Sequence, residues 1–322
     1  MKKFFVTGGA GFIGANITHT LVHAGYHVDI LAEKNTNYWR LKDILPNAFI
    51  HEIDLIDFTG VTNLIKKIKP EVIIHLASYG GTPDQQDQQT IYDVNLSSTI
   101  NLLNSCIQTG FECFINTGSS SEYGKKTIPM KEDLFLEPIS DYAVSKSAAT
   151  HFCLKEAHVK NLPIYTIRPF SVYGDYEMPK RLIPTLLSGA LTKQEIKLSN
   201  PKNVRDFIYI EDLVNLYLEV ERKRPTNCFV INGGTGVQSS IHDVVMTLQA
   251  CCDYPLNISW GKEESRPWEP THWRADITLA KEALNWKPHY TLSQGIRKSL
   301  VWFRNHIEFY SQERVTHDTG NL

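Results

Sequence analysis

Short apolar runs alternate with longer stretches of helical spacing along the first half of the chain. The runs KKFFVT, YHVDILA, EVIIHLA, CFINTG and LPIYTIRPF read as strands, as does NCFVING further on. Several are almost continuously apolar and rich in Val, Ile and Phe, the pattern of parallel strands covered on both faces. Between them, Phe12 to Ala24, Thr62 to Lys69, Ile91 to Gln108 and Asp141 to Val159 carry apolar residues at helical intervals. Such alternation implies right-handed βαβ units and an α/β fold with a Rossmann-like, doubly wound parallel sheet.

After Tyr173-Gly174 the pattern loosens. Residues 175–204 contain Pro179, Pro184 and Pro201 and read as a helix with loops. Glu211 to Glu221 reads as a helix, NCFVING rejoins the sheet, and 235–322 forms a smaller mixed region.

Composition narrows the function classes. The chain has 322 residues, enough for one large domain or two unequal ones, and is 42% hydrophobic and 21% charged. A net charge of -2 argues against bulk electrostatic binding to nucleic acid or an anionic membrane. The 6 cysteines form no CxxC pair and read as free thiols in a reducing compartment. The 12 histidines show no zinc spacing, so no metal is expected. The apolar start Met1 to Val6 breaks at Gly8, too early for a signal peptide, and no later run reaches the ~20 residues of a membrane span. A cytoplasmic protein is expected.

The first strand runs into 7-TGGAGFIG-14. Gly8, Gly11 and Gly14 permit a tight turn, close backbone approach to a pyrophosphate, and packing of helix on strand. The helix that follows begins at Phe12 and Ile13 and presents free N–H groups and a positive dipole end. With a strand before and a helix after, the triplet predicts a bound dinucleotide. At the end of the second strand, Glu33 suits the ribose diol of NAD(H), whereas Lys34 suits the 2′-phosphate of NADP(H). NAD(H) is preferred; NADP(H) stays open, as does the reading in which both side chains merely face solvent.

In 140-SDYAVSKSA-148, Tyr142 and Lys146 stand four apart and share a helix face. An ammonium beside a phenol favours the phenolate, lowering a pKa that starts near 10 by roughly 1–3. Such a phenol exchanges a proton with a sugar or alcohol oxygen while a hydride moves to or from nicotinamide. Just before it, 116-NTGSSSEYG-124 crowds serines at a strand end, either closing a turn or edging a site.

Together these segments resemble the extended short-chain dehydrogenase/reductases that modify nucleotide-activated sugars, over essentially the whole chain. Further signatures are Asp54-Leu55, 75-HLAS-78, 93-DVN-95, 168-RPFSVYG-174, 204-VRDFIYIEDL-213 and 274-RADITLAKEALNWKP-288. The resemblance implies a dinucleotide-binding domain over 1–173, with 205–233 returning to it, and an NDP-sugar substrate domain from 174–204 and 234–322. It makes Ser119 the partner of Tyr142 and Lys146 in catalysis, with Ser120 as the backup candidate beside the sugar. It places Asp54, Leu55, Leu76, Ala77 and Asn95 near the cofactor, Asn95 either in the active site or holding a backbone kink. His75 reads as a hydrogen-bonded buried histidine.

On the substrate side the resemblance points to Ser171, where many relatives carry Asn, and to Arg181, Arg205 and Arg266. The last two suit phosphates, or else pair with Asp206 and Glu269. Trp268 and Trp273 stack on a base or pack in the core. Where the family's 4,6-dehydratases carry Asp and Glu, this chain has Ser120 and Ser121, with Glu122 one place later, so dehydration is not expected. GSS-x-EYG and RDFIYIEDL resemble GDP-4-keto-6-deoxymannose reductases and CDP-paratose synthases. The leading expectation is therefore C4 reduction of an NDP-4-keto-6-deoxyhexose. An NAD-dependent NDP-hexose 4-epimerase is the alternative, and a non-catalytic dinucleotide sensor is more remote. The resemblance also implies a homodimer.

Overall fold

The computed structural model describes residues 1–226, 229–262 and 270–310. Among these, seven strands form one parallel sheet: β1 (Lys3–Thr7), β2 (His27–Ala32), β3 (Phe49–Glu52), β4 (Val72–His75), β5 (Cys113–Thr117), β6 (Ile164–Pro169), and later Val230–Gly233. The inner strands are buried end to end, as their unbroken apolar runs require. Helices α1 (Phe12–His23) and α2 (Phe58–Ile68) follow β1 and β3. The chain then steps from β3 across to the far side of β1, so strand order reverses between β1 and β4. That reversal opens a crevice at the carboxyl ends of the two strands.

Two helical expectations shift. The helix expected from Thr62 begins at Phe58, because Asp57 caps it by accepting the Gly60 N–H at 2.9 Å. The single helix expected over 91–108 is three pieces: α3 (Gln88–Tyr92), a π-helical turn Asp93–Ser97, and α4 (Ser98–Thr109). Helix α5 (Asp141–Lys160) starts where predicted. Ser140 accepts the Ala143 N–H at 3.2 Å, and Asn161 closes the helix in the left-handed region with φ 50°.

Beyond β6 the structure holds strands that the pattern did not announce. They are β7 (Ser171–Tyr173), β8 (Ile196–Leu198) after helix α6 (Leu182–Thr192), and β9 (Val204–Tyr209). Helix α7 (Ile210–Lys223) leads into β10 (Val230–Gly233), which joins the edge of the large sheet beside β6. Next come β11 (Gln238–Ser240), α8 (Ile241–Gln249) and β12 (Ile258–Trp260), and finally α9 (Thr278–Leu284) and α10 (Leu292–Asn305). Strands β11, β9 and β7 form a small sheet, and β12 pairs with β8. Within 205–233, therefore, α7 and β10 belong with the large sheet while β9 belongs to the small one.

Asp206, fully buried in β9, accepts N–H bonds from Thr235, Gly236 and Ala275 at 2.8–3.0 Å. One carboxylate thus ties two distant segments, 235–236 and Ala275, to the small sheet. Among the described residues, no helix is long and apolar enough to cross a membrane, and the five described cysteines are free.

Candidate active site

The glycine turn occupies the crevice. Gly8 has φ +67°, and a side-chain carbon there would stand 2.7 Å from the Ala77 nitrogen, so β1 and the β4 turn touch backbone to backbone. A methyl on Gly14 would fall 2.0 Å from the Gly8 carbonyl oxygen. Thr7 ties the same two strand ends together, accepting the Leu76 and Ala77 N–H groups at 3.2 Å. Helix α1 opens at Gly11 with no side-chain cap and no acid in its first turn, leaving its N–H groups to an anion. These features fit a dinucleotide's diphosphate. Gly14→Ala should therefore cut NADH affinity at least about tenfold, read by fluorescence titration, with the fold retained by circular dichroism.

His75 is structural: Thr7 Oγ1 and Thr99 Oγ1 flank its ring nitrogens at 2.7 and 2.8 Å. Burial, aided by the charge of Lys146, pushes its pKa down to about 3, so it stays neutral.

At the end of β2, Glu33 is half-buried and lines the cleft. Burial pushes its pKa up, and the nearby Asp54 carboxylate pushes it further. Two of the predicted neighbours differ from expectation. Lys34 and Asp54 are both exposed and outside the cleft wall, Asp54 accepting the Ile56 N–H at 3.0 Å. Leu55, Leu76, Ala77, Phe12 and Ile13 do line it.

Asn95 does not reach the cleft. From the π-helical turn its amide donates to the Tyr79 carbonyl at 2.7 Å and to Ser145 Oγ at 3.0 Å, while its oxygen accepts the Tyr79 N–H at 2.9 Å. Every polar atom of its amide is used to fix the loop at Tyr79 against α5, which is the backbone-holding role of the two expected for it.

Ser119, Tyr142 and Lys146 converge on one cleft of about 1380 Å³. Ser119 follows β5 as the cap of a 3-10 turn, accepting the Ser121 N–H at 3.1 Å, while Glu122 reaches back to the Ser119 N–H at 2.8 Å. This capping box fixes the Ser119 hydroxyl near Tyr142, close enough to stabilise its phenolate. The serines both close the turn and edge the site.

The electrostatics differ from the simple Tyr–Lys expectation. Burial pushes the Tyr142 phenol up; the Ser119 hydrogen bond and the Arg181 charge pull it back. Lys146 is 3% exposed, and burial pushes its pKa down to about 8, against the pull of Glu122. Both charged forms lose solvation here, so a Tyr–Lys pair without ligand does not hold a ready-made phenolate.

Glu122 itself is fully buried, bound to Arg168 Nε at 2.8 Å and to Thr150 Oγ1 at 3.1 Å. It lies beneath the serine turn and outside the cleft wall. No carboxylate from 120–122 therefore lines the cleft to expel water from a sugar.

Ser120, Ser171, Arg181, Arg205 and Trp273 also line the cleft. Arg181 spans the cleft, donating to the Gly81 carbonyl at 3.0 Å. The Arg205 guanidinium sits over the Trp273 ring at 5.9 Å. Arg266, Trp268 and Glu269 lie outside the described residues. The pattern of the sequence missed Arg40 and Glu177, which also line the cleft. Each comes from an irregular stretch, where no periodicity marks a side chain's direction.

Residues 4–231 match the model of the NAD dependent epimerase/dehydratase family. A UDP-glucuronate 4-epimerase of Thermodesulfobacterium geofontis (strain OPF15) is 28% identical, over 98% of this chain and 100% of that protein. A UDP-glucose 4-epimerase of Lactobacillus helveticus is 25% identical, over 97% and 100%. The UDP-glucuronic acid 4-epimerase of Bacillus cereus, solved in complex with UDP-glucuronic acid and NAD, is 26% identical. It matches with a TM-score of 0.84 over 94% of this chain and 99% of that one.

Proposed function

The chain belongs to the NAD dependent epimerase/dehydratase family, and from that premise we propose that it inverts C4 of a nucleotide-activated hexose or hexuronate. The observation that carries the reading is one cleft that holds the glycine turn, the Ser119–Tyr142 pair and buried Lys146, with no acid–base carboxylate at 120–122. Dehydration lacks its acid and base. Reduction of a 4-ketosugar, the leading expectation from sequence, uses the same three side chains. It gives way because UDP-sugar 4-epimerases are among the proteins similar over nearly the whole chain, alongside the dehydratases whose acid and base this cleft lacks. NAD(H) is preferred over NADP(H), since a 2′-phosphate would meet Glu33 and the nearby charge of Asp54, while Lys34 is not part of the cleft wall.

When bound, the nicotinamide dinucleotide supplies the hydride acceptor and, on return, the donor. Tyr142 takes the proton of the sugar's 4-hydroxyl as C4 is oxidised, and returns it after the ketone has turned its other face. Ser119 holds the same oxygen by a hydrogen bond. Lys146 offsets the phenolate charge in a setting where water is excluded. Arg205, stacked on Trp273, takes the nucleotide's phosphates, with Arg181 closing the mouth. A homodimer fits the exposed Val144 and Val159 on α5, which are 38% and 73% exposed.

The test is incubation of the purified protein with UDP-glucose or UDP-glucuronate without added cofactor, read by chromatography of the epimers. Interconversion, with nucleotide retained through gel filtration, is the expected result. Stoichiometric NAD(P)H consumption on a 4-ketosugar, without interconversion, would replace it with the reductase.

A further inference from the structure

Glu177 takes no part in the chemistry above, yet the residue lines the cleft. The residue is 6% exposed, and its Oε2 has no hydrogen-bond partner. An orphaned buried oxygen is costly unless something bound in the cleft completes it. The carboxyl's other influences are the charge of Arg181 and a backbone hydrogen bond at Gly174. Burial outweighs both and pushes its pKa up to about 8, so at neutral pH it carries its proton. A neutral carboxyl is a hydrogen-bond donor, suited to an anionic oxygen.

The backbone around Glu177 is pinned to the cofactor side of the cleft. Asn16 of α1 donates to the Asp175 carbonyl at 2.9 Å, and Arg40 Nε donates to the Tyr176 carbonyl at 2.9 Å. Tyr310 Oη donates to the Glu177 carbonyl at 2.8 Å. The Asn16 contact holds the segment against the helix whose first turn presents N–H groups to a diphosphate, and Arg40 and Tyr310 fix it from two other elements. Four residues on, Arg181 lines the same cleft, and its charge acts on the Tyr142 phenol.

We propose that Glu177 is a cofactor-binding residue, its orphan Oε2 donating a hydrogen bond to the diphosphate–ribose portion of the bound dinucleotide. The inference rests on the dinucleotide reading of the cleft and not on the reaction, so its test needs no turnover.

The experiment titrates the full chain, freed of co-purified nucleotide, with NADH by fluorescence and with UDP by calorimetry. Glu177→Met should weaken NADH binding about tenfold or more and leave UDP within about twofold. Glu177→Gln, which keeps an N–H donor, should restore NADH affinity to within about threefold. Thermal shift gives a second measurement should Glu177→Met fold poorly: NADH then raises the Tm of wild type and Glu177→Gln alike, and that of Glu177→Leu less. Unchanged NADH affinity in Glu177→Met would overturn the proposal. So would a loss confined to UDP, which would move the residue to the substrate, or a loss in Glu177→Gln as large as in Glu177→Met.

Discussion

Tyr142→Phe lowers kcat for sugar interconversion roughly 10²–10⁴-fold, the usual contribution of a positioned proton carrier. The ring itself stays. Its flank packs against Gly80 and Gly81, where an added methyl would lie only 3.5 and 3.9 Å from Tyr142 carbons, and these contacts survive the substitution. Only the hydroxyl goes, and the neighbouring Ser119 oxygen still accepts the Ser121 N–H. Thermal stability and NADH affinity should therefore stay near wild type, with KM changed little beside kcat. Steady-state kinetics on UDP-sugars, with melting curves alongside, check this. A variant within about tenfold of wild-type kcat would remove Tyr142 from the chemistry.

What the sequence made legible were features encoded by local spacing. Gly8, Gly11 and Gly14 could be read because a strand precedes them and a helix follows, which are the neighbours that give three glycines a purpose. Tyr142 and Lys146 could be read because four residues on a helix is one face. Ser119 was reached by its place after the apolar run of β5.

The misses share a different physical origin. Asn95 sits in a π-helical turn, and the run of apolar residues through 91–108 carries no mark of that extra residue. Strand β9 hides because VRDFIY pairs with β7 and β11, each only three residues long, so its partners are fixed by tertiary contact. The Arg181–Gly81 bond joins residues 100 apart. Glu177 reaches the cleft through contacts with α1, Arg40 and Tyr310, none of which its own stretch records. The charge balance at Tyr142 was misjudged for a related reason: spacing gives proximity, whereas the penalty of burial depends on everything packed around the pair.

Arg168→Met should destabilise the protein by about 3–5 kcal/mol, the cost of leaving one member of a buried ion pair uncompensated. Arg168, on β6 and 2% exposed, binds Glu122 Oε2 at 2.8 Å, the Tyr123 hydroxyl at 3.0 Å and the Glu132 carbonyl at 3.2 Å. Its guanidinium also lies over the Tyr123 ring at 4.7 Å. Losing it strands the Glu122 carboxylate in the core and removes a brace between β6 and the serine turn. For a chain of this size the melting temperature should fall on the order of 10 °C. The double variant Glu122→Gln, Arg168→Met strands no charge and should recover part of that loss. Scanning calorimetry of the three proteins decides it; a single variant melting within about 2 °C of wild type would mean that the pair is not holding the turn. The same substitution reaches the reaction. Glu122 already raises the pKa of Lys146 and that of Tyr142, and without Arg168 its charge acts on both unopposed. The ammonium then keeps its proton to higher pH while the phenol gives its own up less readily. Folded Arg168→Met should consequently show a kcat loss that Glu122→Gln, Arg168→Met largely restores, which links the buried pair beneath the turn to the proton carrier above it.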